Sequence, residues 1–161
     1  MSPRWMRRLF NVYPPFVGAG IRVTEIASDW RYVRVVMRLR WYNRNYVGTH
    51  FGGSLYVMTD PFLMIMAMKT LGPDYIVWDR AAQIEFVSPG RGTVTAEFRL
   101  GDSDVHEMRV RTADGRRYEP WFDVDVRGED GAVVARIRKQ LYVRRRANAG
   151  SAAPARTTAS A

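Results

Sequence analysis

The chain of 161 residues, 47% of them hydrophobic, is long enough to form one domain with a sizeable core. It contains no cysteine, which excludes a disulfide framework, a thiol nucleophile and a thiolate metal site. Its two histidines, His50 and His106, are too few for a histidine-rich zinc site, and its net charge of +9 raises the question of an anionic partner.

The positive charge is almost entirely arginine and is spread over several predicted strands. Acidic residues occupy the polar faces of other strands, so we expect cross-strand ion pairs on an outer sheet face. A surface that attracts phosphate groups is the alternative, and no nucleic-acid partner is expected without a continuous basic face. The residues concerned are Arg34, Arg38 and Arg40, and on the acidic side Glu85, Glu97, Asp123 and Asp125.

The first twenty residues predict a helix and a proline-rich lead-in. Trp5, Met6, Leu9 and Phe10 recur at helical spacing, and the Pro-Pro pair that follows ends the helix. We expect this helix to pack on its own domain or on a partner subunit. Contact with a membrane surface through its arginines is the alternative.

Apolar and polar residues then alternate along several segments, the pattern of half-buried antiparallel strands. The clearest case carries Val33, Val35, Met37, Leu39 and Trp41 on one face. The predicted strands are 21–26, 31–41, 75–87, 93–100, 121–127 and 132–143, with a short helix between 103 and 115.

A long helix is predicted at 53–71, and its central run, 62–68, is apolar on every side. Sheet or subunit must therefore surround it, which predicts an α+β fold in which a long central helix is wrapped by about six mainly antiparallel strands. A dimer would cover the edge strands. The apolar run is far too short to span a bilayer, so we expect no membrane partner and a cytoplasmic location.

The domain boundaries follow from composition. Residues 1–146 carry all of the predicted elements and are expected to form a single domain. From 147 onward the chain turns to Ala, Ser, Thr and Pro, without core-forming residues, so residues 147–161 are expected to be a disordered tail.

The segment between Asn45 and Asp60 carries the strongest sign of chemistry. Gly52 and Gly53 are expected to open the long helix, where bare backbone N–H groups suit a developing anion and the missing Cβ atoms admit a substrate oxygen. Asp60 follows about two turns later, roughly 10 Å along the axis, as a candidate base or nucleophile. A plain tight turn at the glycines is the alternative. For Asp60 the alternative is a helix cap, with Pro61 at the first position of a broken second half.

The same segment resembles a motif of hotdog-fold acyl-CoA thioesterases of the phenylacetate-pathway type. That motif reads Asn-x-x-Gly-x-x-His-Gly-Gly, with an acidic residue seven positions after the second glycine. The family histidine falls on Phe51, and His50 is displaced by one residue. The matching residues are Asn45, Gly48, Gly52, Gly53 and Asp60. The resemblance covers residues 21–143 and is closest to an uncharacterised bacterial branch of thioesterases.

The resemblance implies hydrolysis of an acyl-CoA or acyl-carrier thioester by a homodimer, with a tetramer as the alternative assembly. Gly53, with Gly52, would stabilise the oxyanion; Asp60 would act across the dimer interface, and Asn45 would orient the water or the thioester. No metal or redox cofactor is required. The expected substrate-binding residues are Gly52, Phe51, Ser54, Tyr56 and His50.

A non-catalytic hotdog protein that binds acyl-CoA or a lipid-like ligand is the alternative function. Two departures from the family pattern favour it. Phe51 stands in place of the histidine, and Pro61 follows Asp60 within the predicted helix.

Overall fold

A computed structural model describes residues 1–147 of the chain, so the tail predicted beyond that point lies outside the described residues. The helices are α1 Pro3–Phe10, α2 Pro14–Ala19, α3 Gly52–Val57, α4 Phe62–Leu71 and α5 Asp102–Arg111. The strands are β1 Ile21–Ile26, β2 Tyr32–Arg38, β3 Tyr75–Phe86, β4 Thr93–Arg99, β5 Arg117–Tyr118, β6 Trp121–Arg127 and β7 Val133–Arg145.

The strands described here form one antiparallel sheet in the order β1-β2-β4-β6-β7-β3, and β5 pairs with β7 outside that order. Helix α4 packs against β3, β4 and β7 on one face of this sheet. The predicted α+β architecture is therefore confirmed. Within residues 1–147 the sheet has seven strands rather than about six, because the two residues of β5 are too few to produce an alternating pattern.

The inward face of the sheet is apolar at alternate positions, as the sequence predicts. In β4 the side chains of Val94, Ala96 and Phe98 are buried, and the threonines and the glutamate between them point outward. This alternation places the core between the sheet and α4.

Strand β2 ends earlier than predicted because the buried side chain of Asn43 redirects the chain. Its Nδ2 donates to the carbonyls of Arg38 at 2.8 Å and Ala19 at 2.9 Å, and its Oδ1 accepts from the N–H of Arg40 at 2.6 Å. Trp41 therefore leaves the sheet and is 82% exposed, so its predicted inward position is wrong.

The N-terminal helix packs on its own domain and buries Met6 and Phe10. The proline pair does more than end this helix. Pro14 opens a second helix, α2, since proline suits the first helical turn, where no backbone N–H is needed. Phe16 of α2 stacks on Phe10 with ring centroids 5.4 Å apart and meets Phe62 of α4 at 5.9 Å.

The two edges of the sheet differ. At β1, the side chain of Asn11 donates to the carbonyl of Val23 at 3.0 Å and accepts from its N–H at 2.8 Å, and Arg7 donates to the carbonyl of Thr24 at 2.9 Å. These contacts satisfy backbone groups of Val23 and Thr24 and so cover the middle of this edge. At the opposite edge, β3 pairs within the described residues only with β7, so the other side of β3 is open.

The helix predicted at 53–71 is interrupted. Helix α3 ends at Val57 and α4 begins at Phe62, and Pro61, which has no N–H to continue the ladder, stands between them. The Asp60–Pro61 peptide bond is cis. The two helices together span the predicted helical segment, and the break falls at Pro61, where the missing N–H predicts a kink. Most of α4 is buried, but Met68 is 45% exposed, so the chain alone leaves one side of the helix uncovered.

The outer face of the sheet carries the predicted cross-strand ion pairs. Arg138 on β7 lies 3.2 Å from Asp123 on β6, and Arg34 on β2 lies 3.8 Å from Glu97 on β4. These groups are exposed or half-exposed, so each pair contributes little to stability. The pairs balance part of the positive charge and confirm the interpretation of this face as a solvated, partly paired surface.

Candidate functional site

The break between α3 and α4 presents the carboxylate of Asp60, whose side chain is 46% exposed. Its Oδ1 accepts a hydrogen bond of 2.7 Å from the ammonium of Lys139 on β7. Its Oδ2 accepts no hydrogen bond from residues 1–147. One oxygen of the carboxylate is thus held by a charged donor, while the side chain as a whole is half-exposed and lies beside the carboxyl group of Asp79.

Lys139 is buried completely, with 0% of its side chain exposed. It occupies an inward position of β7, between Ile137 and Leu141, which are buried as well. A buried ammonium is unfavourable unless charged or polar partners surround it. Besides Asp60, those partners are Asp79 and the ring of Tyr56, whose centroid lies 5.3 Å from the Nζ atom.

Asp79 on β3 is the second carboxylate of this cluster. Its Oδ1 lies 3.3 Å from the Nζ of Lys139, an ion-pair distance, but the geometry does not suit a hydrogen bond, so no residue of the described part donates to this buried oxygen. Burial raises the pKa of Asp79 above its ordinary value, the charge of Asp60 adds to the rise, and the positive charge of Lys139 opposes it. Two carboxylates therefore share one lysine.

The pKa of Lys139 is raised despite its burial. Burial by itself lowers this pKa, but the hydrogen bond to Asp60 and the negative charges of Asp79 and Asp60 outweigh it. The lysine is therefore an ammonium at neutral pH and acts as a fixed positive charge beneath Asp60.

Asp60 does not cap α4, so the capping alternative is wrong. The residue at the cap position is Pro61, no side chain makes a capping hydrogen bond there, and Phe62 is the first helical residue. The Asp60 carboxylate instead bonds Lys139.

The glycine pair opens a helix, α3, as predicted, rather than forming a plain tight turn. Within the described residues, the N–H groups of Gly52 and Gly53 have no hydrogen-bond acceptor, and Gly53 is exposed. Both positions are tightly packed on the side where a Cβ would stand. A Cβ on Gly52 would lie 2.8 Å from the ring of Phe86, and one on Gly53 would lie 2.6 Å from the ring of Phe51.

Asn45 builds the loop that precedes α3. Its Oδ1 accepts from the N–H groups of Val47 at 3.1 Å and Thr49 at 3.0 Å. Its Nδ2 donates to the Thr49 hydroxyl at 2.9 Å and the His50 carbonyl at 3.3 Å. These four bonds use the whole capacity of a side-chain amide, which leaves no donor or acceptor free for the expected contact with water or thioester.

His50 is buried rather than presented to a ligand. Its Nε2 lies 3.1 Å from the carbonyl of Gly92, which fixes this nitrogen as the donor, and its Nδ1 has no partner among the described residues. Burial lowers the pKa of the imidazole, and the bond to Gly92 opposes that only partly. The structure thus places His50 under the turn between β3 and β4 rather than in the Asp60 cluster.

The remaining predicted residues lie along α3 and its approach. Phe51 is 57% exposed, with its ring against Gly53. Ser54 is buried, and the half-buried Tyr56 faces Lys139. The structure therefore brings Asp60 and Tyr56 into one cluster around Lys139. Gly52 and Gly53 begin α3, the short helix that also carries Tyr56.

Sequence reasoning missed Lys139 and Asp79. The signal for Lys139 was present, because the period-two pattern of the last strand places it on the inward face. Only two lysines occur in the chain, and one of them interrupts this apolar face. Asp79 gives a weaker signal, since the strand bulges between Asp79 and Ala81 and the alternation shifts there.

No group of three or more His, Asp or Glu side chains in residues 1–147 could hold a metal ion. Within the same residues, no helix is long and apolar enough to cross a membrane. Two depressions of the outer sheet face, about 530 Å³ and 650 Å³, lie among charged side chains. Neither of them is lined by Asp60 or its partners.

A family model described as "Domain of unknown function (DUF4442)" matches residues 4–143. No curated protein matches the chain in sequence. Among solved structures, the Pseudomonas aeruginosa protein PA5026, described as of unknown function and "Probable Thioesterase", superposes with a TM-score of 0.77 at 20% identity, over 90% of this chain and 97% of that one.

Two further solved structures are similar in fold. The thioesterase HI1161 of Haemophilus influenzae has a TM-score of 0.65 at 15% identity, over 90% of this chain and 92% of that one. The PaaI protein of the E. coli phenylacetic acid degradation operon has a TM-score of 0.59 at 16% identity, over 89% and 93%. At these identities the likeness establishes the fold. The chain has the hotdog fold, as its resemblance to hotdog thioesterases implied.

Proposed function

We propose that this chain, which belongs to the DUF4442 family and has the hotdog fold, hydrolyses acyl thioesters of coenzyme A or of an acyl carrier. The observation that carries the proposal is the Asp60 carboxylate, half-exposed at the helix break, with one oxygen bound to a buried ammonium and the other accepting no donor from residues 1–147. The names of the similar thioesterases support the reaction class.

Asp60 supplies the base or the nucleophile. As a base, its free oxygen takes a proton from water while the water oxygen attacks the thioester carbonyl carbon. As a nucleophile, the carboxylate attacks that carbon itself, and water then hydrolyses the resulting anhydride. In both versions the carbon–sulfur bond breaks and the thiol leaves.

The N–H of Gly53, with that of Gly52, stabilises the oxyanion that develops on the carbonyl. The support is that both amides lack an acceptor within the described residues and that Gly53 is exposed. Removal of one such donor costs about 3–4 kcal/mol of transition-state stabilisation in other enzymes. Phe51 and Tyr56 are proposed to contact the acyl group beside these donors, while Asn45 acts through the loop that its hydrogen bonds hold together.

The assembly is proposed to be a homodimer joined at β3. The middle of the β1 edge is covered by Asn11, whereas within residues 1–147 β3 has no strand on its outer side along its twelve residues. An unpaired long edge invites a second strand, and Met68 leaves one side of α4 exposed for the same partner. We propose that this activity takes place in the cytoplasm. Proteins of that reducing compartment rarely carry disulfides, and this chain has no cysteine to form one.

The test is release of free thiol from a panel of acyl-CoA thioesters, from short to long and from aliphatic to aromatic, followed with a thiol-reactive dye. We expect turnover of at least one member of the panel. The matched oxygen esters release an alcohol and no thiol, so their hydrolysis is followed by the acid formed, and it should be far slower because the leaving group is poorer. Tight binding of the panel without release of thiol would contradict hydrolysis.

That contrary result would favour the second candidate, a non-catalytic protein that binds acyl-CoA or a lipid-like ligand. The observation on its side is the ring of Phe51, which lies against Gly53 where the resembling family has a histidine. An aromatic ring there provides contact area for an acyl group but no group for proton transfer.

A further inference from the structure

Lys139 is the least expected residue in the interior of the protein. It lies on β7, which pairs with both β6 and β3, so its backbone is held from two sides. Inward positions of such a strand favour apolar side chains, and replacement of a buried ion pair by apolar groups of similar volume is often neutral or stabilising. Fold stability alone therefore gives no reason for a lysine at this position.

The contacts of the ammonium instead point to Asp60. The 2.7 Å bond joins the completely buried Nζ on a rigid strand to a half-exposed carboxylate in the irregular break between two helices. Among the described residues, one hydrogen bond holds the backbone of Asp60 at that break, from its N–H to the Val57 carbonyl at 3.1 Å. The lysine thus fixes a side chain whose own segment is short of regular hydrogen bonds.

We infer that Lys139 is a positioning residue, which holds one oxygen of Asp60 so that the other is aimed at water or thioester, and that Asp79 keeps this ammonium paired whenever Asp60 takes up a proton. The inference rests on the proposed thioesterase function. It adds two residues that act through Asp60 and do not touch the substrate.

Asp79 has the properties that this second role requires. Its Oδ1 lies 3.3 Å from the Nζ, is buried, and receives no hydrogen bond from the described residues, so it is a ready partner for the ammonium. Burial favours the protonated form of Asp79 while Asp60 carries the negative charge, and its raised pKa is in accord with this. When Asp60 is protonated in the reaction, ionised Asp79 replaces it beside Lys139.

The kinetic test uses Lys139→Met, which keeps the length of the side chain and removes its charge. We expect kcat to fall about tenfold or more with KM within about twofold, because the free carboxylate samples unproductive orientations. Lys69→Met is the matched control, since Lys69, the other lysine of the chain, is exposed on α4 and should leave kcat unchanged. In an Asp60→Asn background, Lys139→Met should have no further effect.

Two kinetic results would overturn the inference. One is wild-type kcat in Lys139→Met. The other is an equal loss in the Asp60→Asn background, which would mean that Lys139 acts independently of Asp60. A residue that only supports the fold would lower the melting temperature without this dependence on Asp60.

A second measurement is independent of activity and of whether Lys139→Met folds. Labelling of lysine with ¹⁵N gives two side-chain signals, one for each lysine. We expect protected ammonium protons for Lys139 alone, and a shift of that signal in Asp60→Asn and in Asp79→Asn. If the Lys139 signal did not shift in Asp60→Asn, the inference that Lys139 positions Asp60 would be contradicted. If wild-type protein released no thiol, only the proposed reaction would be contradicted.

Discussion

At the scale of single residues, the cluster of Asp60, Asp79 and Lys139 combines two carboxylates with one buried ammonium. The electrostatic effect of each group on its neighbours has a clear direction. Burial disfavours the charged form of Asp79, the ammonium favours it, and the charge of Asp60 disfavours it, while both carboxylates favour the charged form of Lys139. The arrangement therefore holds about one negative charge next to one positive charge, and proton uptake at Asp60 can occur without leaving a lone buried ion.

His50 gives a pH prediction that is separate from catalysis. Burial lowers its pKa, and charging it would place a proton on Nδ1, for which the described residues offer no acceptor. The unfolded chain, with a pKa near the ordinary 6.5, therefore binds this proton more readily than the folded protein. The free energy of unfolding should fall as the pH drops through and below that value.

The measurement is urea denaturation at several pH values between about 5 and 8. His50→Gln should reduce the loss of stability on the acid side. His106→Gln, at an exposed position of α5, should leave it unchanged. Equal acid sensitivity in wild type and His50→Gln would contradict the assignment of a depressed pKa to this histidine.

The sequence predicted part of this cluster for physical reasons that are specific to each residue. Asp60 could be found because glycines and a carboxylate at that spacing fit one chemical task. Lys139 could be found in principle from strand periodicity, but its partner could not, because the pairing of β3 with β7 is a tertiary contact. The capping alternative for Asp60 could not be excluded from sequence either, because Lys139, which binds its carboxylate instead, is distant along the chain.

At the scale of elements, local patterns predicted the strands well and the interruptions poorly. The alternation in β4 and β6 fixes their faces, and the observed bounds agree with those expected. The end of β2 depends on Asn43, whose amide reaches Ala19 in another element. No pattern within a single segment contains that information.

The central helical segment also shows that the exact bounds of an element depend on tertiary contacts. Its apolar run predicted burial against sheet or subunit, and α4 packs on the sheet and on Phe10 and Phe16 of the N-terminal helices. Pro61 predicts a kink, but not that α3 ends at Val57 and α4 begins at Phe62. The division matters for function, since a continuous helix would carry Asp60 within a regular turn. The break instead leaves its carboxylate half-exposed and within reach of Lys139.

At the scale of the whole molecule, the open edge of β3 and the exposed side of α4 predict a dimer in solution. We expect light scattering to give twice the chain mass. Phe86→Lys should shift the protein toward monomer, because Phe86 is 59% exposed at the end of β3 beside Gly52 and a charge there would be buried by the partner.

The matched control is Glu85→Lys, which changes the neighbouring exposed residue and leaves the paired backbone intact. It should remain dimeric. A monomeric wild-type protein at micromolar concentration would contradict the proposed assembly, and a dimer in both variants would place the interface elsewhere.

The central claim is that Asp60 performs the chemistry, and the most direct test is the turnover number of Asp60→Asn on the thioester that wild-type protein hydrolyses fastest. The amide keeps the shape of the carboxylate but loses its charge, basicity and nucleophilicity. We expect kcat to fall by about 100-fold or more while binding of the substrate survives, measured on folded protein with its melting temperature recorded. Wild-type turnover by Asp60→Asn would falsify the assignment and leave Asp60 as the ion-pair partner of Lys139 alone.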